Sequence, residues 1–259
     1  MSGRAIIVLQ ARLASRRLPE KALALIGGRP ILAHCLDRLQ AGGAAQVVLA
    51  TTENREDDTL AAVAIGQGVP VVRGPDADVL RRFLIAADRF DATYIIRATA
   101  DNPAVDIDAP RRVLQTLVGA DVDYVTESGL PYGAAVEAVT VDALHRADAM
   151  AASASDREHV TSLVRRDRLF QALEIPAPRA VQRPDLRLTV DTLTDLAYMR
   201  HVLSAFALDM HEPPLSAIVA AADALMPTSE AVPDDYRNPS GRFPAAAQRG
   251  PDRGDRDHA

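Results

Sequence analysis

The feature that most constrains the fold is an alternation of short β-branched runs with longer helical patterns in the first half of the chain. Strands are predicted over Ala5–Leu9, Gln46–Ala50, Val69–Val72, Tyr94–Arg97 and Tyr124–Thr126. Helices are predicted over Ile31–Ala41, Asp57–Gln67, Asp78–Phe90 and Ala109–Val118. In the third helix, the apolar residues recur at helical spacing and form one face. This alternation predicts an α/β fold with a mostly parallel sheet that is covered by helices on both faces.

The second half of the chain is less regular. Strands are predicted over Ala135–Thr140, Gln171–Ile175 and Leu188–Val190. Helices are predicted over Ala143–Ala151, Ser155–Arg166, Thr194–Phe206 and Leu215–Leu225. The third of these helices is expected to begin at a threonine or aspartate cap.

From Thr228 to the end, the composition changes to prolines scattered among glycines and mixed charges. A segment with so little to bury cannot offset the entropy lost on ordering. We therefore predict one domain over residues 1–227 and a disordered tail over 228–259 in this chain of 259 residues.

Composition excludes several classes of protein. Hydrophobic residues make up 48% of the chain and aromatic residues 4%, so the core must be aliphatic. The net charge of −6 argues against a general nucleic-acid binder. Cys35 is the single cysteine, which excludes an internal disulfide, and its apolar surroundings predict a buried thiol. The sequence shows no signal-peptide pattern and no membrane-length apolar run, so a cytoplasmic protein is expected.

A basic loop follows the first predicted strand. It contains Arg12, Arg16, Arg17 and Lys21, with no acidic residue before Glu20. Ligands of parallel α/β sheets bind at the carboxyl ends of the strands, where this loop would lie. The loop lacks the glycine and lysine spacing of a P-loop, but arginine forks and a lysine suit a polyphosphate. A solvated basic loop is the alternative.

Acidic residues follow two later strands. Asp101 comes after Tyr94–Arg97, and Asp191 comes directly after Leu188–Val190. Carboxylates at the ends of two strands can meet across a cleft and hold Mg²⁺, which prefers oxygen ligands. Helix capping or turn formation is the alternative for either aspartate alone.

Several blocks between Ala5 and Phe206 resemble one family. They read "LQARLASRRLPEKAL", "LATTENREDD", "VVRGPDADVLRRF", "RATADNPAVD", "SDREHVT" and "RLTVDT". Their order and spacing are similar to those of cytidylyltransferases related to spore coat polysaccharide biosynthesis proteins. These proteins in turn resemble the synthetases that attach CMP to keto-deoxy sugar acids.

The resemblance implies a nucleotide-diphospho-sugar transferase-like three-layer sandwich and a set of site residues. Catalytic roles fall to Arg12, Lys21, Asp101 and Asp191, of which the two aspartates would bind Mg²⁺. The implied nucleotide contacts are Leu9, Gln10, Ala11, Arg12, Ser15, Arg16, Lys21, Thr51, Thr52, Glu53 and Asp101. The implied acceptor contacts are Glu137, Arg157, His159 and Arg187.

Two positions are open to more than one interpretation. His159 can act as a general base near neutral pH, orient a substrate oxygen or satisfy a buried helix start. Nucleotidyl transfer can proceed by positioning and charge stabilisation, so it needs no dedicated base. Glu20 stands where the family usually has a glycine, which would allow a positive φ.

The resulting prediction is a Mg²⁺-dependent cytidylyltransferase. It would transfer CMP from CTP to a sugar acid or a phosphorylated small acceptor, release pyrophosphate and serve surface polysaccharide or glycoconjugate biosynthesis. Its partners would be CTP and an anionic acceptor, with no nucleic acid or membrane, and a homodimer is left open. One rival is a glycosyltransferase of related fold. Such enzymes often carry a D-x-D metal motif, which the "DVD" stretch Asp121–Asp123 matches by letter, but this stretch leads into a predicted strand rather than following one and is interpreted as a coincidence. The other is a non-catalytic nucleotide-binding homologue.

Overall fold

The structure is a computed structural model, and it describes residues 3–15, 17–206 and 212–225. Arg16 and the predicted tail over 228–259 lie outside the described residues. The strands are β1 (Ala5–Gln10), β2 (Leu25–Ile26), β3 (Arg29–Pro30), β4 (Gln46–Thr52), β5 (Val71–Gly74), β6 (Tyr94–Thr99), β7 (Tyr124–Ser128), β8 (Glu137–Thr140) and β9 (Ala172–Pro176). The helices are α1 (Ile31–Ala41), α2 (Asp58–Gly66), α3 (Val79–Phe90), α4 (Ala109–Ala120), α5 (Val141–Met150), α6 (Ala154–Glu158), α7 (Ser162–Arg166), α8 (Leu193–Leu203) and α9 (Leu215–Leu225).

Seven of the strands form one central sheet in the order β5-β4-β1-β6-β8-β7-β9. Neighbours β5, β4, β1 and β6 run parallel, and so do β7 and β9. Strand β8 is antiparallel to both β6 and β7. The sheet is therefore mostly parallel, as the sequence predicts.

Helices cover both faces of this sheet and make the fold a three-layer sandwich. On one face, Ile6 and Val8 of β1 pack with Phe83 of α3 and with residues of α5 and α7. On the other face, Ile7 and Leu9 pack with α1, α4, α8 and α9. Residues 6–9 are fully buried because β1 lies in the middle of the sheet with a helical layer on each side.

The first half of the chain follows the predicted elements closely. Helix α1 has the predicted bounds, and α3 begins after Asp78, whose carboxylate caps the backbone N–H of Arg81. The strand predicted over Val69–Val72 is β5. It begins at Val71 rather than at Val69, because the Val69 N–H is bonded to the Ala64 carbonyl at the end of α2. Cys35 is fully buried, as predicted, and burial raises the pKa of its thiol.

Two predictions in the second half are wrong. Ser155–Arg166 is not one helix but the two short helices α6 and α7, separated at Val160, which has a φ of 53°. Burial of the Val160 side chain and a hydrogen bond from Thr161 to Glu137 stabilise this break. Leu188–Val190 is not a strand, because its backbone N–H groups bond to loops and not to a neighbouring strand.

Within the ranges that the structure describes, no helix is long and apolar enough to cross a membrane.

Candidate active site

The carboxyl ends of the central strands open into a cleft of about 1410 Å³. The loop after β1 forms one wall, and the segment 99–102 after β6 lies beside it. The loop at 128–135 and residues of α6 and α7 close the side next to β7 and β8. The cleft therefore lies at the edge where the fold predicts a ligand.

Lys21 joins the two predicted metal ligands inside this cleft. Its Nζ lies 2.7 Å from Asp101 Oδ2 and 2.9 Å from Asp191 Oδ1. Arg17 adds a second cation at 2.8 Å from the same Asp191 oxygen. The structure thus brings together three residues that are up to 170 positions apart in the sequence.

Backbone contacts bring the two aspartates together. The Val190 N–H donates to the Asp101 carbonyl at 2.8 Å, and the Thr189 hydroxyl donates to the same oxygen at 3.1 Å. Gly133, with a φ of 96°, lies against this junction, and a Cβ there would come within 2.8 Å of the Thr189 backbone nitrogen. Only a glycine can occupy this position without displacing the segment that carries Asp191.

The Asp191 carboxylate is held from behind. Arg187 donates to Asp191 Oδ2 at 2.7 Å and to Asp195 Oδ1 at 3.0 Å. Asp195 also accepts from the backbone N–H groups of Asp191 and Thr192, and it forms a capping box with Thr192 at the start of α8. The other Asp191 oxygen, Oδ1, pairs with Lys21 and Arg17.

Burial and charge oppose one another at these groups. Burial alone would raise the pKa of the Asp191 carboxyl, but Lys21, with Arg17 and Arg187, outweighs it and holds that pKa below its usual value. Burial alone would lower the pKa of the Lys21 ammonium, but Asp101 and Asp191 keep it above its usual value. The Asp191 carboxylate and the Lys21 ammonium are therefore both charged at neutral pH.

The backbone of the first loop is anchored by Asp57, which sequence reasoning did not single out. Its buried carboxylate accepts from the Leu13 N–H at 2.8 Å, the Thr51 hydroxyl at 2.9 Å and the Thr52 N–H at 3.2 Å. The Thr52 hydroxyl donates to the same oxygen as Thr51. A buried carboxylate with this many donors ties the loop to the end of β4.

The same contacts turn the Thr51 and Thr52 hydroxyls, which were predicted to contact the nucleotide, toward Asp57. Both residues are fully buried, their hydroxyls are bonded to Asp57, and neither lines the cleft. Leu9 is buried in the core, and Glu53 is exposed outside the cleft wall. Of the predicted nucleotide contacts, the described residues that line the cleft are Gln10, Ala11, Arg12, Ser15, Lys21 and Asp101.

Glu20, at the position where the resemblance leads us to expect a glycine, has a left-handed backbone conformation. Its φ is 54° and its ψ is 23°, which is the left-handed region. Non-glycine residues adopt this region at a cost of about 1–2 kcal/mol. The turn before Lys21 therefore carries some backbone strain.

Arg12 bridges two parts of the cleft wall. One amino group lies 3.0 Å from Asp76, and the other lies 2.9 Å from Glu158 at the end of α6. These two ion pairs hold the arginine between the loop after β5 and the end of α6.

On the acceptor side, Glu137 is the centre of a buried polar cluster. Its carboxylate accepts from Arg97 at 2.6 Å, Tyr124 at 2.8 Å and Thr161 at 2.8 Å, and Arg165 lies at 3.4 Å. Burial alone would raise the pKa of Glu137, but Arg97 and Arg165 hold it below its usual value. Glu137 thus orders two arginines in the cleft wall.

The other predicted acceptor contacts differ in their positions. His159 is exposed and lines the cleft, after the last turn of α6. Arg157 does not line the cleft, because its guanidinium is bonded to Asp78 and Asp148. Arg187 also lies outside the cleft wall and supports Asp191 from behind.

Sequence reasoning missed several residues of the cleft wall, among them three with polar side chains. Arg82 of α3, Arg97 of β6 and Tyr132 all line the cleft. An arginine inside an apolar helix face or a strand is the signal that could have indicated the first two. The Arg187 guanidinium stacks on the Tyr132 ring, with its Cζ 4.9 Å from the ring centre. No sequence pattern indicates that contact.

The chemistry of Asp101 and Asp191 fits a hard divalent cation. Both carboxylates already lie within hydrogen-bond distance of one positive group, and Mg²⁺ takes one or two carboxylates plus water and substrate phosphates. Among the described residues, no group of three or more histidine, cysteine, aspartate or glutamate side chains is arranged to hold a metal. A shared site that is completed by a phosphate ligand is consistent with both observations.

Comparison with known proteins gives the family. The cytidylyltransferase family model matches residues 5–212. The chain is 34% identical to an uncharacterized protein of Methanocaldococcus jannaschii, over 73% of this chain and 78% of that protein. It is 32% identical to the spore coat polysaccharide biosynthesis protein SpsF of Bacillus subtilis, over 73% of this chain and 82% of that protein. A 3-deoxy-manno-octulosonate cytidylyltransferase of Agrobacterium fabrum is 33% identical over 48% of this chain and 50% of that enzyme.

Solved structures agree with the sequence relatives. A cytidylyltransferase from Leptospira borgpetersenii superposes with a TM-score of 0.80 and 27% identity, and covers 86% of this chain and 95% of its own. A CMP:2-keto-3-deoxy-manno-octonic acid synthetase complexed with CTP superposes with a TM-score of 0.58 at 18% identity, over 78% and 99%, which shows the shared fold. With its three-layer fold, and with a family match that includes the loop of Lys21 and both aspartates, the chain belongs to the cytidylyltransferase family.

Proposed function

We propose that this nucleotidyltransferase transfers CMP from CTP to a sugar acid or a phosphorylated small acceptor, with Mg²⁺ bound at Asp101 and Asp191. The product would serve surface polysaccharide or glycoconjugate biosynthesis. The observation that carries the proposal is the convergence of both carboxylates on Lys21 in the cleft. The names of the relatives support the choice of nucleotide and the class of acceptor.

The reaction requires little covalent chemistry from the protein. An acceptor oxygen forms a bond to the α-phosphorus of CTP, the bond from that phosphorus to the bridging oxygen breaks, and pyrophosphate leaves. Two anions must approach, so charge neutralisation and alignment are the two effects required of the site. Lys21 and Arg12 supply positive charge from the loop after β1, and Arg187 holds Asp191 in place.

The divalent ion supplies neutralisation of the phosphate charge when it is bound. Entry of an ion between Asp101 and Asp191 would free the Lys21 ammonium, whose four-carbon stem allows it to turn to a phosphate. Glu137 pairs with Arg97 and Arg165 in the cleft wall, where an anionic acceptor would meet positive charge. His159 lies on that wall as well and is available to orient an acceptor oxygen.

Pyrophosphate release tests the proposal. The protein is mixed with Mg²⁺ and CTP, ATP, GTP or UTP in turn, each against a panel of sugar acids and phosphorylated acids. We expect release with CTP and at least one anionic acceptor. Release with another nucleotide alone would contradict cytidine specificity, and no release with any pair would favour a non-catalytic nucleotide-binding homologue.

The glycosyltransferase alternative is disfavoured by the position of Asp123. Its carboxylate is bonded to Arg146 and accepts from the Gln171 N–H at 2.8 Å, before β7 begins. Neither Asp121 nor Asp123 lines the cleft. The "DVD" stretch is thus bonded within the structure away from the cleft.

A further inference from the structure

Arg82 is an arginine in the cleft wall that the reaction described above does not use. It lies on α3, lines the cleft, and has only 1% of its surface exposed. Its aliphatic stem passes directly over Gly74, where a Cβ would come within 2.9 Å of Arg82 Cγ. The end of β5 therefore leaves room for this side chain to lie beneath the loop after β1.

The guanidinium of Arg82 is poorly bonded for a group so deeply buried. Its Nη1 donates to the Ala11 carbonyl at 3.5 Å, which is at the limit of a hydrogen bond. Its Nε has no partner among the residues that the structure describes. Arg12, next to it in the cleft, is bonded to both Asp76 and Glu158. A buried charge without good partners is destabilising. The described residues do not supply an acceptor for the Arg82 Nε, so this side chain has room for one from a ligand.

The surrounding charged residues do not supply the missing acceptor for Arg82. Burial lowers the pKa of Arg82, and the neighbouring charge of Arg12 lowers it further. The nearby carboxylates are bonded to other donors: Asp57 to the Leu13 N–H, and Asp78 to Arg157. Two guanidiniums therefore lie close together at the cleft, and the buried one has no carboxylate of its own.

We propose that the under-bonded guanidinium of Arg82 binds a phosphate oxygen of the nucleotide in the cleft beside the loop after β1. This inference rests on the proposed function. A phosphate is favoured over a neutral oxygen of the base because a desolvated cation gains most from an anionic acceptor, and the guanidinium fork matches phosphate geometry. Arg82 would thereby complete the positive wall that Arg12 and Lys21 begin.

The proposal predicts opposite effects on stability and on binding. Replacement by methionine removes a desolvated charge and keeps the apolar stem, so the melting temperature without nucleotide should stay level or rise. The same change removes a charged donor to phosphate, so CTP affinity should fall at least tenfold. An arginine with a purely structural role would show the reverse, with a lower melting temperature and unchanged affinity.

Arg82→Met and Arg81→Met form a matched pair for the test, because Arg81 is the next residue on α3 and is exposed. Melting temperature is measured without ligand, and calorimetric titration with Mg²⁺ compares CTP, CMP and cytidine. We expect Arg82→Met to weaken CTP and CMP but not cytidine, and Arg81→Met to change none of them.

Two outcomes would overturn the proposal: an equal loss for cytidine, which assigns Arg82 to the base, or a marked fall in melting temperature with unchanged CTP affinity. If wild-type protein does not bind CTP at all, the proposed function is what fails. If wild type binds CTP and Arg82→Met binds it equally well, only the role of Arg82 is wrong.

Discussion

The aspartates in the cleft and the aspartate before β7 are bonded in different ways. Asp101 and Asp191 meet at the carboxyl end of the sheet around the Nζ of Lys21. Asp123 lies before the amino end of β7, where a backbone N–H of Gln171 and the Arg146 guanidinium hold its carboxylate. A backbone donor cannot move without moving its strand, whereas a lysine side chain can rotate away. Carboxylates paired with a mobile cation are available to a ligand, and carboxylates paired with the backbone are structural.

The largest expected effect is on turnover. Asp101→Asn and Asp191→Asn should each keep the fold and reduce pyrophosphate release at least 100-fold, because an amide is a poor ligand for a hard cation and ~1.4 kcal/mol is already tenfold in rate. CTP affinity should fall less, since Arg12 and Lys21 remain. Steady-state pyrophosphate release at saturating Mg²⁺ is the measurement.

Asp123→Asn is the control for that comparison. An amide keeps one oxygen for the Gln171 N–H but weakens the pair with Arg146, so thermal stability should fall by about 1 kcal/mol while turnover of the folded protein is retained. If Asp123→Asn abolishes turnover and the two cleft variants are mild, the assignment of the metal site is wrong and the glycosyltransferase alternative gains support.

The next effect is on the junction that places Asp191. Gly133→Ala puts a methyl group within 2.8 Å of the Thr189 nitrogen at a φ of 96°, so it should destabilise the fold by about 1–3 kcal/mol and lower turnover. Gly119→Ala in α4 is the matched control, because nothing lies within 4 Å of its added Cβ. Thermal denaturation of both variants checks this, and equal melting temperatures would contradict the packing argument.

A smaller effect concerns acid stability. Because folding lowers the pKa of Asp191, its contribution is fully present above an unfolded value of about 3.9 and is lost as the pH falls through the folded value. Lys21→Met removes the main cause of that lowering and brings the folded pKa of Asp191 closer to the unfolded value, so less stability should be lost as the pH falls below about 4 than in wild type. Melting temperature between about pH 3 and 7 measures it. Identical acid limbs would show that the pair contributes nothing to folding.

The smallest expected effect is at the turn before Lys21. Glu20→Gly replaces a residue at a φ of 54° by one that adopts this region freely, so stability should rise by about 0.5–1 kcal/mol with turnover retained. Urea denaturation resolves a change of this size. A loss of stability would show that the glutamate side chain makes a contact that outweighs its backbone strain.

Predictability from the sequence differed between the two halves of the chain. Strand β1 and helices α1 and α3 were predicted well, because their apolar periods reflect burial against a regular sheet. The segment 188–190 was predicted as a strand because it is apolar and extended, but its hydrogen-bond partners are loops distant in the sequence. Val160 interrupts a helical pattern because its burial and its neighbour's bond to Glu137 outweigh local helix propensity.

The sequence by itself determined the α/β class, the mostly parallel sheet, the buried Cys35 and the charged residues that meet in the cleft, because local periodicity and residue chemistry carry that information. Only the tertiary structure decided which of those residues line the cleft. It assigned Thr51 and Thr52 to Asp57, placed Arg187 behind Asp191, and left Arg82 buried without a carboxylate partner. The physical reason is that such roles depend on hydrogen bonds and ion pairs between residues that are distant in the sequence. No short stretch of the chain determines which of these residues come into contact.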